Sequence, residues 1–309
     1  MRILIELPSW LGDAVMATPA IENLVNYYDE SEVILIGSFI SIEALKNYPR
    51  ISNTYVIRKE YASLYKISKK LGQFDIFFSF RSSFRSKFLK LLISSKKKFQ
   101  FDRNRYQNRH QVEKYNDFIN ENLNTHFHSE RLIIHPILKQ TNKNSKPILG
   151  INPGASYGDS KRWHPEKFAK VATELSHKFD ILIFGSVDEK NIATDIEKFL
   201  IENNVSNYQN LAAQTSVEEL IYHISTLDIF VTGDSGPMHI AAAFQVPTVA
   251  IFGPTKDTET SQWMNDKSII VKKNLDCQPC MKRKCPLKHN NCMKLIKARE
   301  VLSAVKSLN

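Results

Sequence analysis

Short apolar runs alternate with segments of helical period along most of the chain, the pattern of a parallel sheet covered by helices. Residues 2–7 predict a buried strand and residues 8–12 a loop. Asp13 then opens a helix toward Tyr28, with Val15, Met16, Ile21, Leu24 and Val25 on its apolar face. Pro19 falls inside that pattern and marks a kink or short break. Strands at 33–37, 53–57 and 75–80 follow, with helices at 41–47, at 61–71 and after residue 80. A polar stretch, 122–146, holds a short extended piece at 131–134 and the best linker candidate, 139–146. A second series then begins. Its strands are 148–152, 180–184, 229–232, 248–252 and 268–272. Its helices run from Pro165 to about 178, from the 185–189 turn to about 202, from Thr215 and Ser216 to 226, and over 294–308. The fold class is therefore α/β, with two doubly wound Rossmann-like halves facing across a cleft.

The stretch Val231-Thr-Gly-Asp-Ser-Gly-Pro-Met-His239 organises the second half. It reads as strand, tight turn and helix start, with Ser235 suited to capping and Pro237 to the first helical turn. Such a helix start presents N–H groups and a positive dipole end at a strand's C-terminal edge, so Asp234, Ser235 and Gly236 form a candidate diphosphate seat. The plain alternative is an ordinary strand–turn–helix junction. Ser156 and Lys161, in the 153–163 loop, reach the same edge, the lysine as a mobile cation. Lys161 and Arg162 also fit solvated loop charges. Trp163 reads as a packing anchor, and His239 as a histidine packed against the turn. In the first half the equivalent edge exposes Gly12 and Asp13. That aspartate suits helix capping and general-base work, and the two roles are compatible.

Composition narrows the class. At 309 residues, 42% hydrophobic and 24% charged, the chain supports two ordinary domains with their own cores. No apolar run approaches the roughly 20 residues that span a bilayer, and the N-terminal run is too soon interrupted for a secretory signal. A cytoplasmic protein is the expectation. The net charge of +10 is concentrated: between Phe80 and Tyr115, eleven Lys and Arg face only Asp102 and Glu113. Such a block implies an anionic partner: nucleic acid, an acidic membrane surface or an acidic glycolipid. The four cysteines fall between Cys277 and Cys292, beside His289, and leave open a zinc knuckle, reduced thiols or a local disulfide. A nicotinamide-type oxidoreductase or epimerase is disfavoured, because Pro8-Ser-Trp-Leu-Gly-Asp13 replaces the Gly-x-Gly-x-x-Gly fingerprint. A basic nucleic-acid-binding module is the non-enzymatic alternative.

Five motifs in order resemble one family. They are Leu11-Gly-Asp-Ala-Val15, Pro153-Gly-Ala…Lys161-Arg-Trp163, Gly233-Asp-Ser-Gly-Pro-Met-His239, Phe252-Gly-Pro-Thr255, and the Cys277-x-Pro-Cys…Cys-Pro…His…Cys-Met293 tail. Together they resemble the bacterial ADP-heptose:lipopolysaccharide heptosyltransferases, most closely the heptosyltransferase II branch, over nearly the whole chain. The resemblance implies a GT-B fold. Residues 1–146 would form an acceptor-binding domain, 147–292 a donor-binding domain, and 293–309 a helix packing back toward the first. It implies an inverting transfer of heptose from ADP-heptose to the lipopolysaccharide inner core, with no cofactor or metal required. Heptosyltransferase I or III, with a different acceptor, is the nearest alternative. Asp13 carries over as the catalytic base. The donor set is Gly12, Ser156, Lys161, Glu189, Thr215, Asp234, Ser235, Gly236 and His239; the ribose-binding acid falls at Asp188 or Glu189. Arg81 and Arg85, in the basic block, are acceptor-binding candidates. The expected partners are ADP-heptose, the inner-core acceptor and an anionic membrane surface on the cytoplasmic side, with no nucleic acid.

Overall fold

The computed structural model describes residues 1–58, 60–136 and 146–308. The chain divides into two units, Met1–Ile137 and Leu138–Asn309. The first contains β1 (Arg2–Glu6), α1 (Leu11–Met16), α2 (Thr18–Tyr27), β2 (Glu32–Gly37), α3 (Phe39–Leu45), β3 (Asn53–Val56), α4 (Tyr61–Leu71), β4 (Gln73–Ser79), α5 (Phe84–Leu92), β5 (Ser94–Gln100) and α6 (Gln111–Leu123). Its strands pair in parallel in the order β3-β2-β1-β4-β5. The apolar run of β1 lies at the centre, with Ile3 opposite Val33 on one side and Ile76 on the other. Near-continuous Val, Ile and Leu is what a strand covered on both faces requires.

The unit departs from the expectation at the start of its first helix and in β5 and α6, and agrees with it at Pro19. The helix starts at Leu11 with Trp10 in the capping position, so Asp13 is its third residue and not its cap. The break at Pro19 is real: α1 ends at Met16, Ala17 turns, and Pro19 sits in the first turn of α2, where a missing N–H costs little. Strand β5 and helix α6 were not legible. β5 reads Ser-Ser-Lys-Lys-Lys-Phe-Gln, a polar strand that fits only because it lies at the sheet edge, where lysines discourage further pairing. The 131–134 piece forms no strand; it packs irregularly, with Leu132 and Ile134 buried and the Ile133 N–H donating to Thr18 Oγ1 at 3.0 Å.

The second unit contains β6 (Ile148–Asn152), α7 (Pro165–Leu175), β7 (Asp180–Ile183), α8 (Lys190–Glu202), β8 (Tyr208–Asn210), α9 (Val217–Ser225), β9 (Ile229–Gly233), α10 (Gly236–Ala243), β10 (Thr248–Ile251), α11 (Asp257–Thr260), β11 (Ser268–Val271), α12 (Asn291–Lys294) and α13 (Ala298–Leu308). Its six strands run parallel in the order β11-β10-β9-β6-β7-β8. The closing helix, expected over 294–308, is α13, with the short α12 ahead of it. Helix α13 packs on α7, β10 and β11, and its Val301, Ala304 and Val305 belong to the second unit's core. The linker candidate 139–146 lies outside the described residues except for Lys146. Among the described residues no helix is long and apolar enough to cross a membrane.

Candidate active site

In the second unit, polar side chains gather where β6 and β9, central neighbours in the sheet, end side by side. Both strands are almost fully buried, so their first exposed residues stand at the C-terminal edge, where open α/β sheets bind ligands. Asp234 follows β9. Its Oδ2 accepts from Lys161 Nζ at 2.5 Å and from Thr255 Oγ1 at 2.5 Å, and the same ammonium reaches the Asp234 carbonyl at 3.3 Å. The pair is nearly sealed: the side chains are 11% (Lys161) and 5% (Asp234) exposed. The ammonium also lies 4.7 Å from the centre of the Tyr157 ring, which Arg283 approaches at 5.4 Å. Lys161 is therefore an ordered cation and not a solvated loop charge.

Ser235 occupies the capping position of α10, but its side chain does not close the helix. Its Oγ instead accepts from Asn152 Nδ2 at 3.0 Å. The first-turn amides of α10 thus have no side-chain cap, and Gly236 lets an anion approach them closely. His239 is buried one turn further on.

The Lys161 loop is held from three sides. Trp163 is buried, donates from Nε1 to the Ile296 carbonyl at 3.1 Å, and meets Phe168 edge-on, so it is the expected anchor. Tyr157 Oη donates to the Met281 carbonyl at 2.7 Å and Ser160 Oγ to the Lys282 carbonyl at 2.6 Å. The cysteine-bearing segment therefore braces the lysine. Glu189 is buried against Gly154, where an added Cβ would lie 2.0 Å from its carboxyl carbon, and its Oε2 accepts from the Ser186 N–H at 2.8 Å. Its neighbour Asp188 is exposed. Thr215 stands half-buried before Ser216, the true cap of α9; the Ala213 N–H ties that loop to the Gly185 carbonyl at 2.9 Å. Ser156 is exposed in the loop after β6 and makes none of the bonds that join Lys161 to Asp234. Asn152, Thr255 and Tyr157 were missed by sequence reading. Thr255 lies in a quoted motif, but nothing in its spacing to Asp234 announces a bond across 21 positions.

In the first unit, Gly12 is buried within α1, and Asp13 is half-buried in that helix's first turn, where the dipole favours a carboxylate. Burial, then the charge of Asp13, hold the Tyr115 phenol well above its ordinary pKa. Glu6, at the end of β1, is fully buried. It accepts from Ser79 Oγ at 2.6 Å and from Ser86 Oγ, and pairs with Arg81 Nη1 at 3.3 Å. Arg85 donates to the Arg58 carbonyl; burial and the charge of Arg81 lower its pKa. The structure thus brings Arg81 and Arg85 together over a buried acid that sequence reading passed over. The basic block is less one-sided than its count, because acids beyond it pair with it: Asp75 with Lys96 at 2.7 Å, Asp117 with Arg109 at 2.5 Å, and Glu121 with Arg105.

The four cysteines line one small cavity with Ser160, Pro254 and His289, and all are free thiols. Among the described residues no three His, Cys, Asp or Glu stand in a metal-holding arrangement. Backbone N–H groups, foremost that of Asn290, lower the Cys285 thiol, whereas burial, then its thiol neighbours, push Cys292 up to about 11. At pH 8 roughly a thousandth of Cys292 is thiolate. Iodoacetamide at that pH should therefore label Cys285 well before Cys292 by peptide mass mapping, and equal labelling would contradict these environments.

The chain thus has two parallel-sheet units, the second with a buried lysine–aspartate pair at the C-terminal edge of its sheet. The chain belongs to glycosyltransferase family 9 (heptosyltransferase), whose family model matches residues 64–291. It is 43% identical to lipooligosaccharide heptosyltransferase 2 of Campylobacter jejuni subsp. jejuni serotype O:2, over the whole chain and 98% of that relative. It is 33% identical to lipopolysaccharide heptosyltransferase 2 of Escherichia coli K12, over 40% of this chain and 36% of that one. The solved structure of E. coli ADP-heptose lps heptosyltransferase II superposes with a TM-score of 0.80 at 19% identity, covering 100% of this chain and 98% of that one. A family 9 glycosyltransferase from Veillonella parvula DSM 2008 gives 0.83 at 19% identity, covering 99% and 96%. The fold is GT-B, and the chain is a glycosyltransferase.

Proposed function

We propose that the chain transfers a heptose from ADP-heptose to a heptose of the lipopolysaccharide or lipooligosaccharide inner core. The observation that carries the reading is the sealed Lys161–Asp234 pair beside the uncapped start of α10. An ammonium has three N–H donors, of which the Asp234 carboxylate and carbonyl take two, so one remains for a diphosphate oxygen. With the α10 amides it supplies positive charge where the leaving group develops negative charge, the work a metal ion does elsewhere. The reading accordingly takes no metal and no cofactor. Glu189, buried against Gly154, is the acid assigned to the ribose, with Thr215 and Ser156 completing the donor set.

Transfer is a single displacement. The Asp13 carboxylate takes the proton of the acceptor hydroxyl, the acceptor oxygen bonds to the anomeric carbon, and the bond from that carbon to the phosphate oxygen breaks. ADP leaves with the electron pair, and the anomeric configuration inverts. Arg81 and Arg85 bind the anionic acceptor. The acceptor is a glycolipid, so the reading places the chain at the cytoplasmic face of the membrane as a peripheral protein, with no nucleic-acid partner. The match to heptosyltransferase 2 relatives over the whole chain favours that branch. Lipopolysaccharide heptosyltransferase 1 of Campylobacter coli is 30% identical over 55% of this chain.

The test is incubation with ADP-heptose and defined truncated cores. One heptose mass should be added to a core ending in heptose, with inverted configuration by NMR and undiminished rate in EDTA. No transfer to that core, or transfer to a core that lacks heptose, would overturn the reading.

A further inference from the structure

Helices α4 and α5 pack side by side on the first sheet, burying Leu64 and Leu71 from one and Leu89 from the other. Their opposite side is not polar. On α4, Tyr61 and Tyr65, one turn apart, are exposed. On α5, Phe84, Phe88 and Leu91 form an exposed stripe at helical spacing, with Phe84 82% and Leu91 77% accessible. The Tyr61 and Phe88 rings meet edge-on at 5.5 Å, which joins the two stripes into one patch. The same two helices carry Lys66, Lys69, Lys70, Arg85, Lys87 and Lys90 and not one Asp or Glu.

Helices that face water alone mix both signs of charge and keep large apolar groups inside. Aromatic and leucine side chains outside, on helices that carry cations and no acid beyond the Glu60 cap of α4, are the chemistry of a helix lying in the headgroup layer of a bilayer. We propose that the α4–α5 face seats the protein on an anionic lipid surface. Phe84, Leu91 and the tyrosine rings enter the headgroup boundary while the five lysines meet lipid phosphates. Charge complementarity selects this occupant: a second copy of the chain would set cation against cation at this face. The proposal rests on the glycolipid-acceptor reading for its purpose, but not for its test.

The test uses the full chain in co-sedimentation with vesicles of phosphatidylcholine alone or mixed with phosphatidylglycerol. The wild type should partition at least tenfold more strongly to the anionic vesicles, and added salt should weaken that binding. The double variants Phe84→Ser/Leu91→Ser and Lys87→Glu/Lys90→Glu should each lose at least tenfold of it. Both should keep wild-type thermal unfolding and wild-type transfer to a delipidated soluble core. Equal binding to neutral vesicles, or variants that sediment as wild type does, would overturn the proposal. So would variants that change only self-association in the ultracentrifuge. Docking without transfer would count against the proposed activity and leave this surface standing; transfer to the soluble core without docking would do the reverse.

Discussion

Asp13→Ala should lower kcat for heptose transfer by about 10²–10⁴-fold, the range that a positioned general base contributes, while the Kd for ADP stays at its wild-type value. The separation of the two effects follows from where the groups lie. The proposed donor seat lies in the second unit, at the cluster of Asn152, Lys161, Asp234, Ser235 and Thr255, whereas Asp13 sits on α1 of the first. The sequence leaves helix capping as a full rival explanation for this aspartate. The structure removes that rival in its simple form, because Trp10 holds the capping position. A third-position acid still gains from the helix dipole, but only about 0.3–1 kcal/mol. Asp13→Asn keeps the size and loses the charge, so it should match Ala in kcat and remain folded by thermal unfolding. Transfer within a few-fold of wild type in either variant would end the general-base assignment. A parallel loss of ADP binding would show that the residue acts through the fold.

What was legible in the sequence divides along a physical line. Parallel strands buried on both faces write themselves as unbroken apolar runs, so β1, β6, β9 and β10 are readable within a residue or so at their ends. Edge strands are freed from that requirement: β3 and β11 keep enough apolar residues to be read, but the other two do not. β5 with its three lysines and the three-residue β8 are held by one neighbour each and look like loops until their pairing is seen. The site follows the same rule. The turn at Asp234 is local in sequence and was found. The partners that order it, Thr255 and Asn152, lie 21 and 83 positions from the atoms they bond and left no local trace. The basic block misled in a related way: its window excluded Glu6, Asp75, Asp117 and Glu121, which pair with it only after folding. What survives as a strongly cationic surface, with Glu60 at its edge, is the α4–α5 face, and half its cations come from α4, which lies before the block in the chain.

Breaking the Lys161–Asp234 pair should be costly in stability as well as in donor binding. Each side chain is nearly sealed, so removing one leaves the other as a buried charge. Such a loss costs about 3–5 kcal/mol, against about 0–1 kcal/mol for an exposed pair. Asp234→Ala also strands the Thr255 hydroxyl, which donates to the lost oxygen, whereas Lys161→Ala leaves that bond in place. The aspartate variant should therefore lie at the upper end of the range in urea unfolding and the lysine variant at the lower. The double variant Lys161→Met/Asp234→Leu removes both charges and should recover most of the stability, as buried pairs replaced by apolar residues commonly do. It should recover none of the ADP affinity, because the ammonium proposed to meet the diphosphate is gone in Lys161→Ala and in the double variant alike. Stability and affinity thus part company in one set of variants, read by urea titration and by ADP calorimetry. If the apolar pair binds ADP as tightly as the wild type, the lysine is a strut of the fold and the diphosphate is held by the α10 amides alone.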